Sequence, residues 1–215
     1  DEHLYRTRRV LSSPQAQVVT CDDHSYLSFC SNDYLGLATH PEVVAAFKQG
    51  LDRYGAGSGA SHLVTGHSAA HHALEEELAA FTGRSRALVF SSGYMANVGV
   101  ISCLAGKQDY VLEDRLNHAS LLDGGLFSDA HFTRYPHGDL NRLSALLAKV
   151  AGKQLCLIVT DGVFSMDGDV APLAGLLDLA EQHKAIVMVD DAHGFGVLGS
   201  RGGGLAEAVR EEGFA

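Results

Sequence analysis

The sequence predicts an α/β fold built on a mostly parallel sheet flanked by helices. From Ser68 onward, apolar runs rich in Val, Ile and Leu alternate with stretches of helical spacing. The apolar runs are nearly continuous, as strands covered on both faces require. The segments between them are long enough to be the helical crossovers that parallel strands need.

The elements follow in order. Residues 1–40 read as a short mixed arm: a basic helix end with Arg6, Arg8 and Arg9, then two strands around 17–20 and 26–29. Helices are predicted over 42–54 and 69–81, the second with Glu75, Glu76 and Glu77 on its wetter side. Strands are predicted over 87–91, 109–113, 131–135, 155–160 and 185–190. Helices over 94–105, 119–127, 140–150 and 172–183 alternate with them, and Pro172 suits a first turn. Residues 41–215 would then form one large domain around a single core, a size that 215 residues can bury.

Composition narrows the function classes. Lys+Arg 16 against Asp+Glu 26 gives a formal charge of −10, which argues against a broad nucleic-acid footprint or an anionic membrane surface. An anionic ligand must therefore be held locally. The chain has no apolar run of about 18 residues and no signal-like start, so a cytoplasmic protein is expected. Cys21, Cys30, Cys103 and Cys156 lack any C-x-x-C spacing, which disfavours structural zinc or a disulfide framework.

In open parallel sheets, ligands gather beyond the carboxyl ends of the strands. Four segments fall there. Phe90-Ser-Ser-Gly-Tyr-Met-Ala-Asn97 runs from strand to helix through Gly93, which suits either a phosphate cradle or ordinary capping. Glu113-Asp-Arg-Leu-Asn-His-Ala-Ser120 puts His118 near a helix start, as a cap, an acid or base, or a flat ring for stacking. Thr160-Asp-Gly-Val-Phe-Ser-Met-Asp-Gly-Asp169 presents Ser165 between two turns, without the ligand spacing of a calcium loop. The strongest is 185–199, a buried strand ending in Asp190, Asp191 and His193. A buried carboxylate there needs a cationic partner, either a metal held by Asp190, Asp191 and His193 or a protonated ligand nitrogen facing Asp190. His67, His71 and His72 lack a zinc-protease frame and read as a His-rich helix surface. Gly55-Ala-Gly-Ser-Gly59 lacks a P-loop lysine.

Taken together these residues resemble the α-oxoamine synthases, a pyridoxal-phosphate (PLP) family of the aspartate-aminotransferase fold type I. The matching stretches are Ser31-Asn-Asp-Tyr-Leu-Gly-Leu37, Gly57-Ser-Gly-Ala-Ser-His62, Ser92-Gly-Tyr94, Asp114-Arg-Leu-Asn-His-Ala-Ser120, Asp161-Gly-Val-Phe-Ser-Met-Asp-Gly-Asp169 and Val189-Asp-Asp-Ala-His-Gly194, in family order over nearly the whole chain. The resemblance implies that Gly93 and Tyr94 lie at the cofactor phosphate and that His118 stacks on the pyridine ring and touches the substrate carboxylate. It implies that Ser165 and His193 bond the ring's phenolic oxygen, that Asp190 pairs with the pyridine nitrogen, and that Arg6 contacts substrate. The implied reaction is a decarboxylating condensation of an amino acid with an acyl thioester. Ala192 and Gly194 favour the members that join L-alanine to a pimeloyl thioester, carried by coenzyme A or a carrier protein, over those such as glycine C-acetyltransferase. Family members are homodimers, with Ser31–Leu37 and Gly57–His62 serving the neighbouring site.

One departure follows. The family's Schiff-base lysine comes after the Asp-Asp-Ala-His segment, whereas Lys48, Lys107, Lys149, Lys153 and Lys184 all precede it here. The lysine and the smaller C-terminal domain are expected beyond Ala215, and the 215 residues alone are expected to be inactive. Two other classes compete. One is a metal-dependent hydrolase using His118, Asp190, Asp191 and His193; the other is a non-catalytic remnant that pairs with a partner.

Overall fold

The computed structural model describes residues 5, 7–150, 152 and 155–212. They divide into two compact units, Asp1–His72 and Ala73–Ala215.

In the first unit, β1 (Val18–Cys21) and β2 (His24–Leu27) form an antiparallel hairpin, with Val18 opposite Leu27 and Cys21 opposite His24. Asp22 and Asp23 join them with φ of 51° and 60°. Two successive positive φ values make the tight turn whose twist matches a hairpin, and Asp tolerates that conformation better than most residues. This turn sets the strands one or two residues away from the predicted positions. Arg8 and Arg9 are not helical; Arg9 instead lies 3.3 Å from the Asp22 carboxylate. Arg6 lies outside the described residues. Helix α1 (Pro41–Tyr54) starts on its proline, whose missing N–H is not needed there. Its apolar positions Val43, Phe47 and Leu51 recur every four residues, and all are exposed. A single π-helical turn, His62–Gly66, follows, then α2 (Ala69–Thr82), which runs on into the second unit. The π turn sets the His62 ring edge-on to His67 and His71, with centroids 4.7 and 5.0 Å apart.

The second unit holds the sheet. Its strands are β3 (Tyr110–Asp114), β4 (His131–Tyr135), β5 (Cys156–Asp161) and β6 (Ile186–Asp190), all parallel, in the order β4-β3-β5-β6. The helices are α3 (Gly93–Leu104), α4 (Ala119–Phe127), α5 (Leu140–Val150), α6 (Leu173–His183) and α7 (Leu205–Glu211). Because side chains alternate across a strand, the sheet divides its apolar residues between two cores. Val111, Leu157 and Val159 pack with Ile101 of α3 and Leu121 of α4. Leu112 and Ile158 pack with Leu143 and Leu147 of α5 and Leu176 of α6. Every residue of β5 is buried, as the continuous apolar run implied.

The α3–α4 contact is close. A Cβ at Gly124 would lie 2.7 Å from Ile101 Cδ1, and one at Gly125 would collide with the Phe132 ring. The predicted strand 87–91 is not laddered into the sheet. Its β-branched and apolar residues suit an extended chain, but a strand needs a neighbour for its backbone groups. Among the described residues no strand takes that place, and the Val89 N–H bonds the Glu75 carboxylate at 3.1 Å instead. Among the described residues no helix is long and apolar enough to cross a membrane.

The strand order places the site. From β3 the chain moves to one side to form β4, then crosses to the other side of β3 to form β5. The connections therefore part between β3 and β5, and the carboxyl ends of these two strands open a crevice.

Candidate active site

The loop after β3 enters this crevice. Asn117, buried there, accepts from the Asp161 N–H at 3.1 Å and donates to the Val159 carbonyl at 2.9 Å. This pins the end of β3 to the end of β5. The next residue, His118, donates its backbone N–H to Asp161 Oδ2 at 2.7 Å and caps α4 with its ring. Its Nδ1 lies 2.7 Å from Ser120 Oγ and 3.2 Å from the Ser120 N–H. Burial raises the Asp161 pKa to about 6, although the His118 N–H favours its charged form.

Asp190 ends β6, in register with Asp161 of β5. Its Oδ1 accepts from the Ala192 N–H at 3.0 Å, and its Oδ2 from the Asn97 side-chain amide at 2.6 Å. Asn97, buried on α3, also donates to Ser120 Oγ at 2.9 Å. Thus α3, α4 and β6 meet in one polar chain that links His118 to Asp190. Two sequence-predicted residues, 72 positions apart by number, are brought together by two that the sequence reading missed. Asn97 and Ser120 carry no motif of their own; they sit in the quoted segments but read as helix interior.

Gly93 begins α3, and Ser92 caps it by accepting from the Met95 N–H at 3.2 Å. A Cβ at Gly93 would meet nothing within 4 Å, so the helix start is open to a ligand. Tyr94 donates its hydroxyl to Asp123 at 2.7 Å, which raises the phenol pKa. Ser165 is exposed in the turn after β5, where Val163 and Val170 bridge. His193 lies in the turns that follow β6 and is partly buried.

That β5 loop is held by a residue outside the predicted set. His137, just beyond β4, bonds Asp114 through Nδ1 at 3.0 Å and Asp169 through Nε2 at 2.6 Å. Partial burial opposes its charge, but the two carboxylates outweigh this and its pKa is raised. A His three residues before a predicted helix gave no hint of this, because both partners are distant in sequence.

Asp191 does not join Asp190. Its Oδ2 accepts from the Leu205 N–H at 2.6 Å at the start of α7, and glycines 194 and 204 leave no room for a side chain beside its carboxylate. Burial raises its pKa while the α7 amides counter. The set His118, Asp190, Asp191 and His193, weighed as metal ligands, is therefore not assembled among the described residues. A 570 Å³ groove bounded by Leu177, Val187, Val189 and Val209 contains none of the site residues.

Residues 24–211 match the model of the family described as aminotransferase class I and II. The chain belongs to that family. Among curated relatives, the 8-amino-7-oxononanoate synthase of Cellvibrio japonicus is 62% identical over 96% of this chain and 52% of its own length. That of Methylococcus capsulatus is 64% identical over 94% of this chain and 52% of its own. This member of the family spans about half the length of the curated relatives it matches. Among solved structures, a serine palmitoyltransferase K265A variant from S. paucimobilis with a bound PLP–myriocin aldimine superposes with a TM-score of 0.92 and 36% identity, over 96% of this chain and 52% of that one. The 8-amino-7-oxononanoate synthase of Francisella tularensis gives 0.72 and 34%, over 85% and 50%. The expected fold, that of the type I PLP-dependent transferases, is borne out.

Proposed function

We propose that this chain builds the cofactor and amino-acid side of a PLP-dependent 8-amino-7-oxononanoate synthase, which condenses L-alanine with a pimeloyl thioester in biotin synthesis. The observation that carries the proposal is the polar chain from His118 through Ser120 and Asn97 to Asp190 at the crevice between the strand ends. It holds a flat ring and a carboxylate where a planar, cationic heterocycle can be gripped. The curated relatives at about 60% identity support the substrate assignment.

The residues present suit PLP. Asp190 keeps both oxygens as acceptors and would pair with the ring nitrogen, which a nearby carboxylate holds protonated. The open start of α3 at Gly93 and Tyr94 offers backbone N–H groups to the phosphate. His118 would stack on the ring and donate to the substrate carboxylate. Ser165 and His193 would bond the phenolic oxygen, and Arg6, outside the described residues, would bind substrate. When bound, the cofactor supplies an electron sink for the carbanion formed at the α-carbon of the amino acid. Residues 1–40 serve as the arm and 41–215 as the large domain. The exposed face of α1 and the loops Ser31–Leu37 and Gly57–His62 suit a homodimer with shared sites. A cytoplasmic location fits this chemistry.

No lysine follows His193. The 215 residues therefore hold PLP without a covalent bond and do not turn over. The test is a PLP titration of the purified chain followed by absorbance, with Asp190→Asn beside it. Saturable binding weakened about tenfold by Asp190→Asn is expected, the scale of one charge-assisted contact. Absence of binding refutes the cofactor assignment, and 8-amino-7-oxononanoate made by the 215 residues refutes the need for a further lysine.

A further inference from the structure

We infer that Asn97 and Ser120 are positioning residues that fix which ring nitrogen of neutral His118 carries the proton. The relay has only one consistent assignment of hydrogens. Asp190 is a carboxylate and can only accept, so the Asn97 group 2.6 Å from its Oδ2 is the amide nitrogen rather than the oxygen. That nitrogen has two hydrogens. One goes to Asp190 and the other to Ser120 Oγ at 2.9 Å. Ser120 Oγ thus accepts from Asn97, and its own hydrogen is left for His118 Nδ1 at 2.7 Å. The Ser120 backbone N–H points at the same nitrogen from 3.2 Å. With two donors converging on it, Nδ1 is the lone-pair nitrogen, and the proton of the neutral ring sits on Nε2.

The anchoring is buried. Asn97 is 6% exposed and Ser120 1%, whereas the His118 side of the relay opens to the crevice. Water does not compete for the inner bonds, and an unpaired group there would be costly. Among the described residues Nε2 makes no hydrogen bond of its own. His118 therefore presents an N–H donor to the ligand and is not set to take a proton through Nε2. The same two residues orient Asp190, so a single relay sets the group facing one side of the ligand and the group at its edge. What the donor meets rests on the proposed PLP and amino-acid reading; the position of the proton does not.

Long-range proton–nitrogen correlation spectra of the isotope-labelled chain, at a pH where the His118 ring is neutral, read the tautomer directly. The His118 signals are identified by their loss in His118→Gln. The expected wild-type pattern has Nε2 protonated, in at least about tenfold excess, the preference that one to two net hydrogen bonds give. Ser120→Ala leaves only the longer backbone contact, so the Nδ1-protonated form rises several-fold, and Ser120→Thr, which keeps the hydroxyl, restores the pattern. Asn97→Leu frees the Ser120 hydroxyl to accept and gives a similar rise. A wild-type ring protonated on Nδ1, or Ser120→Ala and Asn97→Leu spectra like wild type, overturns the inference. Repeating the spectra with PLP separates the two claims: the stated tautomer in a chain that does not bind PLP refutes the cofactor reading alone, and the opposite tautomer in a chain that does bind refutes the relay alone.

Discussion

Replacing Gly124 with alanine measures how closely α3 and α4 must approach to close the relay. The new Cβ would lie 2.7 Å from Ile101 Cδ1 and 3.3 Å from both Ile101 Cβ and the Asn97 carbonyl oxygen. Ile101 is fully buried in the core between the sheet and these helices, so it has no open space to swing into. Overpacking of this kind costs about 1–3 kcal/mol, while alanine in place of glycine in a helix returns up to about 1 kcal/mol. The net expectation is a loss of about 1–2 kcal/mol. Ile101→Val removes the methyl group that collides, and alone costs about 0.5–1.5 kcal/mol through the space it leaves. In the double variant the added methyl occupies that space, so the two losses should fall short of their sum by about 1 kcal/mol. Urea unfolding of the four proteins, with midpoints compared at a constant slope, supplies the cycle. Additivity within about 0.5 kcal/mol would show that Gly124 and Ile101 do not share a packing constraint.

Other expectations concern charge and thiols. Glu113 is wholly buried with neither carboxyl oxygen bonded, and burial raises its pKa to about 8. The folded chain therefore holds this proton where the unfolded chain has released it, and stability falls by up to about 1.4 kcal/mol per pH unit as pH rises from about 4.5 to 8. Glu113→Gln should flatten that fall in urea titrations at several pH values, and an unchanged profile would show the group is not protonated in the fold. The raised pKa of His137 has a matching sign: its ion pairs stabilise fully below its ordinary value and are lost as pH rises through the raised one. Asp169→Asn should lower the midpoint of the His137 proton resonance, and a constant midpoint would discount the Asp169 bond. Of the four cysteines, Cys30 and Cys103 are exposed, Cys21 and Cys156 are buried, and burial pushes Cys156 up to about 11. Two thiols should react quickly with an aromatic disulfide in the native chain; rapid reaction of all four would contradict the described core.

Much of the second unit was legible because its signals are local. Continuous apolar runs marked β5 and β6, and the helices 119–127 and 140–150 match the structure at both ends. Hairpin register was not legible, since Asp22 and Asp23 read as polar residues until their positive φ values are seen. Segment 87–91 failed for a different reason: strand propensity is a property of the segment, whereas strand pairing belongs to its neighbour. The site shows the same division. Residues at strand ends that face a ligand stand out by chemistry, as His118 and Asp190 do. Residues that hold them, such as Asn97 and Ser120, have chemistry that fits a helix surface equally well, and only the packing of α3 on α4 turns them inward.

Asp190 and Asp191 show how far adjacent identical residues can part. As a pair they invite a metal, because two carboxylates side by side repel unless a cation lies between them. The structure turns the two carboxylates toward different partners, although the Asp190 charge still helps to raise the Asp191 pKa. Asp190 is the last residue of β6, and its carboxylate turns to Asn97 on α3. Asp191 has left the strand, and its carboxylate turns to the amides that open α7, in a cradle that glycines 194 and 204 keep free of side chains. The first is left facing a crevice where a ligand cation can reach it; the second is used up in building the loop that carries His193. Asp191→Asn, which keeps an acceptor for α7, should therefore leave PLP affinity within about twofold while Asp190→Asn does not. An equal loss from both would mean that the two carboxylates act as one site after all.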